Sequence, residues 1–226
     1  MTALIIPALN EAPVIGQTLD ALPPGMFGLV IVADNGSTDG TGEVARRHGA
    51  VVVRTEERGY GVACLAAIAS LPPEVDVVVF LQADLSEDAA EAVELIEPIR
   101  RGEFDMVLGS RVMGRAEAGS LLPHQQFGNT VATTLIRILY GFSYTDLGPF
   151  RAVRRASLDG LGMREPAYGW TVEMQVRALQ RELRVKEVPV SYKVRAAGEN
   201  KVSGNLRASL LAGYRIIVTI LRLLGG

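Results

Sequence analysis

Four clusters of polar residues each follow a short apolar run of the sequence. They are Asn10-Glu11, Asp34–Ser37, Gln82–Asp84 and Gly109–Arg111. A carboxylate that ends a buried strand is costly to bury unless it meets a cation or a hydrogen-bond donor. If the fold gathers the four clusters at one edge, they form a binding site for a charged ligand.

The Gln82–Asp84 cluster indicates the most specific chemistry. It follows Val75–Leu81, the most apolar run of the chain. Hard oxygen ligands at that point suit Mg²⁺ or Mn²⁺ that is bound partly by a substrate diphosphate. Asp84 is therefore the candidate metal ligand. The alternative is structural, with Asp84 capping a helix that begins near Ser86.

Two further segments carry weaker signals. In Asp34–Ser37, the carboxylate of Asp34 can accept hydrogen bonds from a base or ribose, and Gly36 lets the backbone approach a ligand. An Asx turn before a capped helix is the structural alternative. Gly59–Gly61, with Arg58 beside it, can face a phosphate, but the same glycines suit a closely packed helix start.

Three cations lie in loop-like segments. Arg195 and Lys201 flank a turn that contains a glycine. That arrangement can grip a phosphate, with the arginine as a fork and the lysine as a point charge. Arg111 follows the fifth apolar run, and a solvated side chain is the alternative for such a lone arginine.

Apolar runs alternate with helical patterns through the first half of the chain. Strands are predicted at Ala3–Ile6, Leu29–Val32, Val51–Val53, Val75–Leu81 and Met106–Leu108. Helices are predicted at 11–21, from Ser37 or Asp39 to His48, at 59–70 and at 86–101. This alternation predicts a mostly parallel sheet covered on both faces, and ligands of such sheets bind outside the carboxyl ends of the strands. The four clusters lie at those ends.

The second half of the chain is less regular. Helices are predicted at 127–139, 169–179 and 203–224, and strands at 145–150 and 185–192. Arg111–Pro123 is predicted to be a mobile loop. Because neither a repeat nor a long linker occurs, we predict a catalytic domain over residues 1–202 and a C-terminal amphipathic helix over residues 203–226.

The composition excludes several classes of protein. Of 226 residues, 48% are hydrophobic and 21% are charged, which is too apolar for a disordered chain. A net charge of −2 argues against nucleic-acid binding. The single cysteine, Cys64, leaves no internal disulfide and no cysteine-based zinc cluster. The N-terminal residues lack a basic region and are interrupted by Pro7, so we expect no signal peptide and a cytoplasmic protein.

Five motifs resemble those of family 2 glycosyltransferases. Ile5–Glu11 resembles the opening motif IPxxNE, Asp34–Thr41 resembles DDGSTDGT, and Gln82–Asp84 stands at the D-x-D position. Thr145–Arg151 and Arg195–Lys201 resemble the D..SGFR and R..GxSK motifs of dolichol-phosphate mannose synthases and their bacterial relatives. The resemblance covers about residues 2–205 and narrows the family to polyprenyl-phosphate glycosyltransferases.

The resemblance implies a GT-A fold, an α/β fold that binds a GDP- or UDP-hexose with Mg²⁺ or Mn²⁺. Asp84 would hold the metal on the diphosphate. Arg111, Arg195 and Lys201 would face phosphates, and Glu173 would lie on the acceptor side. The predicted donor-binding residues are Pro7, Ala8, Asn10, Glu11, Asp34, Gly36, Ser37, Arg58, Gly61, Gln82, Ala83 and Asp84.

The chain departs from the family pattern at three places. Gln82 replaces the first aspartate of D-x-D and removes one negative charge from the metal site. Asn200 replaces the serine of the SK pair, and Gln125-Gln126 lie near the point where the acceptor loop usually carries an arginine.

The implied reaction is the transfer of a hexose, with inversion, to a dolichyl or undecaprenyl phosphate. A phosphate monoester is largely ionised near pH 7, because its second pKa is about 6. No strong general base is then needed, and Glu173 would orient the acceptor or the sugar. Two alternatives remain. One is a soluble glycosyltransferase with a hydroxyl or small phosphorylated acceptor. The other is a nucleotide-sugar-binding pseudoenzyme, which Gln82 favours.

The last predicted helix combines apolar residues at helical spacing with Arg207, Arg215 and Arg222, which lie within about 80° of one another. This pattern is typical of a helix in a membrane interface. We therefore predict a peripheral protein at the inner face of the membrane. The alternative is that the helix packs on the domain or on the second subunit of a homodimer.

Overall fold

The described part of the chain contains seven strands and eight α-helices. The computed structural model describes residues 1–196 and 206–225, with side chains from residue 211 onward in the second range. The strands are β1 (Thr2–Ala8), β2 (Leu29–Asp34), β3 (Val51–Arg54), β4 (Val77–Phe80), β5 (Met106–Ala116), β6 (Arg151–Arg154) and β7 (Val185–Tyr192). The helices are α1 (Ala12–Asp20), α2 (Thr41–Arg47), α3 (Tyr60–Ala69), α4 (Ala92–Arg100), α5 (Pro123–Tyr140), α6 (Arg155–Leu161), α7 (Trp170–Gln180) and α8 (Leu206–Arg222).

The strands form one sheet in the order β3-β2-β1-β4-β6-β5-β7. The first four are parallel to one another, and β5 is parallel to β7. Strand β6 runs antiparallel between β4 and β5. The predicted mostly parallel sheet is therefore confirmed, and every strand except β6 ends at the same edge.

Helices cover both faces of the sheet, which explains why its strands are apolar throughout. Ile5 of β1 packs with α3, α5 and α7 on one face, whereas Leu4 and Ile6 pack with α1 and α4 on the other. Trp170, at the start of α7, is fully buried, and its ring centroid lies 4.9 Å from that of Phe80 in an edge-to-face contact.

Residues Thr145–Phe150, predicted as a strand, form a loop, and β6 begins at Arg151. Glu187 accepts the N–H groups of Thr145 at 2.9 Å and Asp146 at 3.1 Å. The Glu187 side chain thus accepts the backbone hydrogen bonds that a neighbouring strand would accept in a sheet. The strand prediction is wrong because the segment's composition does not reveal a partner 42 residues away.

The segment Arg111–Pro123 is not a mobile loop throughout, because β5 continues to Ala116. After an irregularity, β5 pairs again with β7. Gly114 has no room for a Cβ atom, since the carbonyl oxygen of Val190 fills that place. Backbone pairing therefore orders the first half of this segment, which corrects the prediction.

Helix α8 packs on the domain through α5 and α7. Tyr140 Oη donates to the carbonyl oxygen of Ile220 at 2.7 Å. Arg215 and Arg222 reach the carboxylate of Glu165, which is 1% exposed, at 3.6 and 2.9 Å. These two arginines, predicted to face a membrane, thus pair with the domain, as in the alternative in which the helix packs on it.

Two predictions about the C-terminal segment fall outside what the structure describes. These are the side chain of Arg207 and the domain boundary at residues 202–203. Within the described residues, no helix has both the length and the apolar character needed to cross a bilayer.

The ion pairs of Glu165 predict a specific cost of removing Arg222. We expect Arg222→Gln to lower the free energy of unfolding by about 1–2 kcal/mol, because it takes the nearer of two arginines from a buried carboxylate. Urea unfolding followed by circular dichroism measures the change. Arg47→Gln is the matched control, an exposed arginine on α2. Equal losses in the two variants would contradict a stabilising role for this ion pair.

Candidate active site

Three of the four predicted polar clusters, those after β1, β2 and β4, meet at the carboxyl edge of the sheet. The fourth, Gly109–Arg111, lies inside β5 and not at its end, which corrects that part of the prediction. Strand β1 leads into Asn10-Glu11, β2 ends in Asp34, and β4 leads into Gln82–Asp84. The N–H of Asn10 donates to Ser37 Oγ at 2.9 Å, which joins the first two clusters. Asn10 adopts a left-handed backbone conformation with φ 53°.

Asp34 is almost completely buried at the end of β2. The N–H of Ser37 donates to Asp34 Oδ1 at 2.9 Å, and Arg54 Nη1 donates to Oδ2 at 3.0 Å. The turn named as the structural alternative is therefore present, although each carboxylate oxygen keeps a further acceptor position for a ligand. Arg54 was not predicted. Asp34 and Arg54 are register partners at the ends of adjacent parallel strands, and this register is the signal from which their pairing could have been predicted.

Four of the predicted donor-site residues contribute backbone atoms or backbone conformation, and not side-chain contacts. Pro7 and Ala8 end β1. Gly36 adopts φ 73°, a conformation that favours glycine. The carbonyl oxygen of Ala83 accepts a hydrogen bond from Thr18 Oγ1 at 2.7 Å, which attaches α1 to the segment after β4.

Gly59 and Gly61 serve close packing, the alternative named for them. The carbonyl oxygens of Pro166 and Glu165 fill the places where Cβ atoms of Gly59 and Gly61 would lie. These glycines thus let the start of α3 meet the segment before α7. Arg58 precedes them as an exposed residue on the loop beside the Asp34 cluster.

The turn after β4 directs one oxygen of Asp84 toward the site. Asp84 Oδ1 accepts hydrogen bonds from Ser86 N–H at 3.1 Å and Ser86 Oγ at 2.5 Å. Ser86 Oγ also lies 3.1 Å from Gln82 Oε1. The helical turn that follows is capped by Asp88, which accepts from the N–H of Ala90 at 3.0 Å. Asp84 is therefore not the helix cap of the alternative interpretation.

Glu87 lies beneath this turn and was not predicted. The N–H of Gln82 donates to its Oε2 at 2.8 Å, while its buried Oε1 has no hydrogen-bond partner among the described residues. Burial raises the pKa of Glu87 to about 8. The sequence contains no signal for this role, because Glu87 begins a run of acidic residues typical of an exposed helix.

Arg195 lies between two carboxylates of the site. Its Nη2 is 3.1 Å from Glu11 Oε1 and 3.7 Å from Asp84 Oδ2. The N–H of Ala196 donates to the carbonyl oxygen of Asp84 at 3.1 Å, so the backbone holds this arginine against the turn that carries Asp84. Lys201, predicted as the second cation of this segment, lies outside the described residues.

Arg111 forms a two-pronged ion pair with Asp146 instead of an open phosphate contact. Its Nε and Nη2 donate to the carboxylate at 2.7 and 2.8 Å, and the Tyr192 ring centroid lies 5.0 Å from its guanidinium carbon. Asp146 is buried. A buried carboxylate thus already balances the charge of Arg111, and its contact with a phosphate stays a prediction.

Glu173 is fully buried between α7 and the segment before it. Its oxygens accept hydrogen bonds from the N–H groups of Arg164 at 3.0 Å and Glu165 at 2.6 Å, and from Arg177 Nε at 2.9 Å. This corrects the prediction of an acceptor-side acid, since these three donors hold the carboxylate in the contact between α7 and the preceding segment.

The two glutamines at the start of α5 serve the helix itself. Gln125 Oε1 accepts the N–H of Leu122 at 2.8 Å, and Gln126 Nε2 donates to the carbonyl oxygen of Leu121 at 3.0 Å. The position that usually carries an acceptor arginine is thus used here for helix capping.

A sequence model described as Glycosyl transferase family 2 matches residues 3–162. The chain belongs to this family. An uncharacterized glycosyltransferase of Mycobacterium tuberculosis is 37% identical, over 92% of this chain and 93% of the relative. The dolichyl-phosphate hexose transferase of Haloferax volcanii is 33% identical, over 88% and 86% of the two chains. The undecaprenyl-phosphate mannosyltransferase of Micrococcus luteus is 30% identical, over 89% and 87%.

The glycosyltransferase fold also matches solved structures. The crystal structure of glucosyl-3-phosphoglycerate synthase from Mycobacterium tuberculosis, in complex with Mn²⁺, UDP and glucosyl-3-phosphoglycerate, has a TM-score of 0.79. It is 23% identical, and the match covers 100% of this chain and 80% of that one. The predicted GT-A fold is confirmed.

The residues around Asp84 fit a divalent cation that arrives with a diphosphate. Asp84 presents one carboxylate oxygen, and Gln82 adds an amide oxygen on the same turn. In residues 1–196 and 206–225, no group of three His, Cys, Asp or Glu side chains can hold a metal alone. Mg²⁺ typically takes one or two carboxylates and completes its shell with water and substrate phosphates. The donor set of this glycosyltransferase matches that case.

The raised pKa of Glu87 predicts a pH dependence of stability. The native state keeps this proton up to about pH 8, whereas the unfolded chain loses it near the ordinary value of 4.5. The contribution of this proton to the unfolding free energy is therefore complete below pH 4.5 and is lost as the pH rises through about 8. Relative to Glu87→Gln, the wild type should lose more than about 1 kcal/mol of unfolding free energy between pH 5 and pH 9.

Urea unfolding at several pH values measures this difference. Glu94→Gln, at an exposed position on α4, is the control. A difference between wild type and Glu87→Gln that stays constant with pH would show that Glu87 is ionised in the native state at every pH tested.

Proposed function

We propose that this family 2 glycosyltransferase transfers a hexose, with inversion at the anomeric carbon, from a nucleoside-diphosphate sugar to a polyprenyl phosphate. The observation that carries this proposal is the cluster of Asp84, Arg195 and Glu11 at the carboxyl edge of the sheet. It combines a metal-binding carboxylate with an arginine at the place where sheets of this kind bind phosphorylated ligands.

The donor half of the reaction follows from charge. Breaking the bond between sugar and diphosphate leaves negative charge on the departing nucleoside diphosphate. Mg²⁺ or Mn²⁺, when bound by Asp84, supplies positive charge at that place. Arg195, whose Nη2 is 3.7 Å from Asp84 Oδ2, would donate hydrogen bonds to the same phosphates. Stabilisation of developing charge by fixed groups of this kind is usually the largest catalytic contribution.

The acceptor half is supported by the places of Glu173 and His48, two groups that could act as a base. Glu173 is buried, and His48 lies between α1 and α2, where its Nδ1 is 2.7 Å from Asp20. A lipid phosphate is already ionised near pH 7 and attacks without a base. Two relatives at 30% and 33% identity carry names that specify undecaprenyl and dolichyl phosphate.

A second candidate acceptor is a small phosphorylated molecule. The fold likeness to glucosyl-3-phosphoglycerate synthase favours it. The two functions differ in where the sugar is found after reaction. A lipid product partitions into organic solvent, whereas a phosphoglycerate product stays in water.

The outer side of α8 supports a peripheral position at a membrane, at its inner face. Its exposed apolar residues are Leu211, Tyr214, Ile217, Val218 and Leu221, and exposed Leu224 follows the helix. Helix α5 adds exposed Phe127 and Ile138. The sequences of α5 and α8 contain arginines and no acidic residue. An anionic lipid surface complements such a face, whereas the same face of a second copy would oppose positive charge with positive charge.

Substitution of Asp84 tests the reaction. We expect Asp84→Asn to lower metal-dependent transfer at least about 100-fold, because the carboxylate that binds the cation is lost. The assay supplies radiolabelled UDP- and GDP-hexoses with Mn²⁺, and measures label in the organic phase with polyprenyl phosphate and in the aqueous phase with 3-phosphoglycerate. Asp88→Asn is the matched control, since asparagine caps a helical turn as well as aspartate does.

The outcomes separate the candidate functions. Label in the organic phase supports the lipid acceptor, and label on phosphoglycerate alone supports the second candidate. Calorimetric binding of a nucleotide sugar without transfer to either acceptor would mean that the protein is a binding module. Equal activity of Asp84→Asn and Asp88→Asn would overturn the metal assignment.

Flotation with vesicles tests the membrane role of α8. Leu211→Ser combined with Leu221→Ser should reduce binding to vesicles of phosphatidylglycerol and phosphatidylcholine at least about 5-fold, because apolar area leaves the interface. Val93→Ser, an exposed apolar position on α4, is the control. Size-exclusion chromatography runs in parallel. If the double variant changes a dimer into a monomer while neither protein floats, the outer side of α8 binds a second copy instead.

A further inference from the structure

The guanidinium of Arg195 occupies the space between two carboxylates that come from opposite sides of the site. Arg195 Nη2 is 3.1 and 3.4 Å from the oxygens of Glu11 and 3.7 Å from Asp84 Oδ2. The three side chains are 10–19% exposed. Carboxylates held this close, and this far from water, need a cation between them.

Backbone contacts fix this arrangement. The N–H groups of Lys193 and Ala196 donate to the carbonyl oxygens of Ser86 and Asp84 at 2.7 and 3.1 Å. The segment that carries Arg195 therefore runs alongside the metal-binding turn. This pairing places the backbone of Arg195 beside Asp84.

Glu11 is held just as firmly on the other side. Its N–H donates to Thr41 Oγ1 at 2.9 Å, and its carbonyl oxygen accepts the N–H groups of the first turn of α1. Glu11 is the N-cap residue of α1, yet its side chain makes no capping hydrogen bond. Its carboxylate is directed at Arg195 instead.

We propose that Arg195 is the resident cation of this site and leaves its two carboxylates when the divalent ion binds. Glu11 is then the second carboxylate of the cation site, beside Asp84. The identity of the ion rests on the proposed function. Glu11 then restores the negative charge that Gln82 does not supply. This assigns Glu11 to the cation and not to the base and ribose, as the sequence had suggested.

The exchange follows from charge and space. Arg195 supplies one positive charge to two carboxylates, and a divalent ion supplies two. A guanidinium and a divalent ion repel each other strongly at contact distance, so Arg195 turns away from Asp84 when the site is loaded. The diphosphate that arrives with the ion is the nearest new anion. The guanidinium reaches it by rotation of the side chain while the backbone pairing with the turn persists.

The two possible roles of Arg195 differ in one measurable respect. A residue that only grips phosphate, and whose guanidinium leaves the carboxylates when no nucleotide is bound, has little influence on metal binding in the absence of nucleotide. A resident cation competes with the metal, so its removal strengthens metal binding while it weakens nucleotide binding.

Mn²⁺ titration followed by electron paramagnetic resonance, without nucleotide, provides the test. We expect Arg195→Gln to bind Mn²⁺ about 5- to 10-fold more tightly than wild type and Glu11→Gln to bind it about 5-fold more weakly, in the usual range of coupling between sites. The double variant should not show the tighter Mn²⁺ binding that is expected of Arg195→Gln. Lys193→Gln, which removes a charge two residues away, is the matched control and should change the affinity less than 2-fold.

Calorimetry with UDP and GDP at saturating Mn²⁺ completes the test, and Arg195→Gln should bind the nucleotide at least about 5-fold more weakly. Unchanged or weaker Mn²⁺ binding by Arg195→Gln overturns the exchange. The absence of Mn²⁺ binding by all variants at about 10 mM, roughly tenfold above the dissociation constants of the weakest calcium sites, also overturns it. Unchanged binding by Glu11→Gln overturns the role of Glu11. These measurements use no acceptor, so their results can be interpreted even if the protein transfers no sugar.

Discussion

A buried carboxylate stays ionised only beside a cation or hydrogen-bond donors, and this requirement positions several segments of the chain. The pairs are Asp34 with Arg54, Asp146 with Arg111, Glu173 with Arg177, and Glu165 with Arg215 and Arg222. Breaking such a pair leaves a charge in a medium that solvates it poorly, so each arginine is committed to its carboxylate. Arg195 differs because an incoming cation can take over its partners. It is therefore the arginine of this set that a ligand can recruit.

The sequence predicts the sheet well because strands buried on both faces are apolar throughout, and polar residues then mark where each strand ends. The Asp84 turn and its neighbours at the edge follow from that pattern and from the family motifs. The pairing of Arg111 with Asp146 does not, since the partners are 35 residues apart and either residue alone looks solvent-exposed. Glu173 was misassigned for the same reason. Its hydrogen-bond donors are backbone N–H groups, which every residue possesses and no motif reveals.

The arginines of the last helix show a further limit. Helical periodicity places Arg215 and Arg222 on one side of α8 but does not say what that side meets. Glu165, the residue that binds them, lies in an irregular segment before α7. The same segment also meets Gly59 and Gly61 at the start of α3. One short stretch of chain thus connects the last helix with the loop that carries Arg58, beside the Asp34 cluster.

Helix α8 belongs to the core although it comes last in the chain. Ile220 and Leu223 are buried in the cluster that contains Trp170, and Gln180 Nε2 donates to the carbonyl oxygen of Leu223 at 2.5 Å. A chain shortened before α8 would uncover this cluster instead of releasing a trimmed domain. Whatever binds the outer side of α8 also sets the orientation of the sheet, because the helix packs on α5 and α7, which cover one face of that sheet.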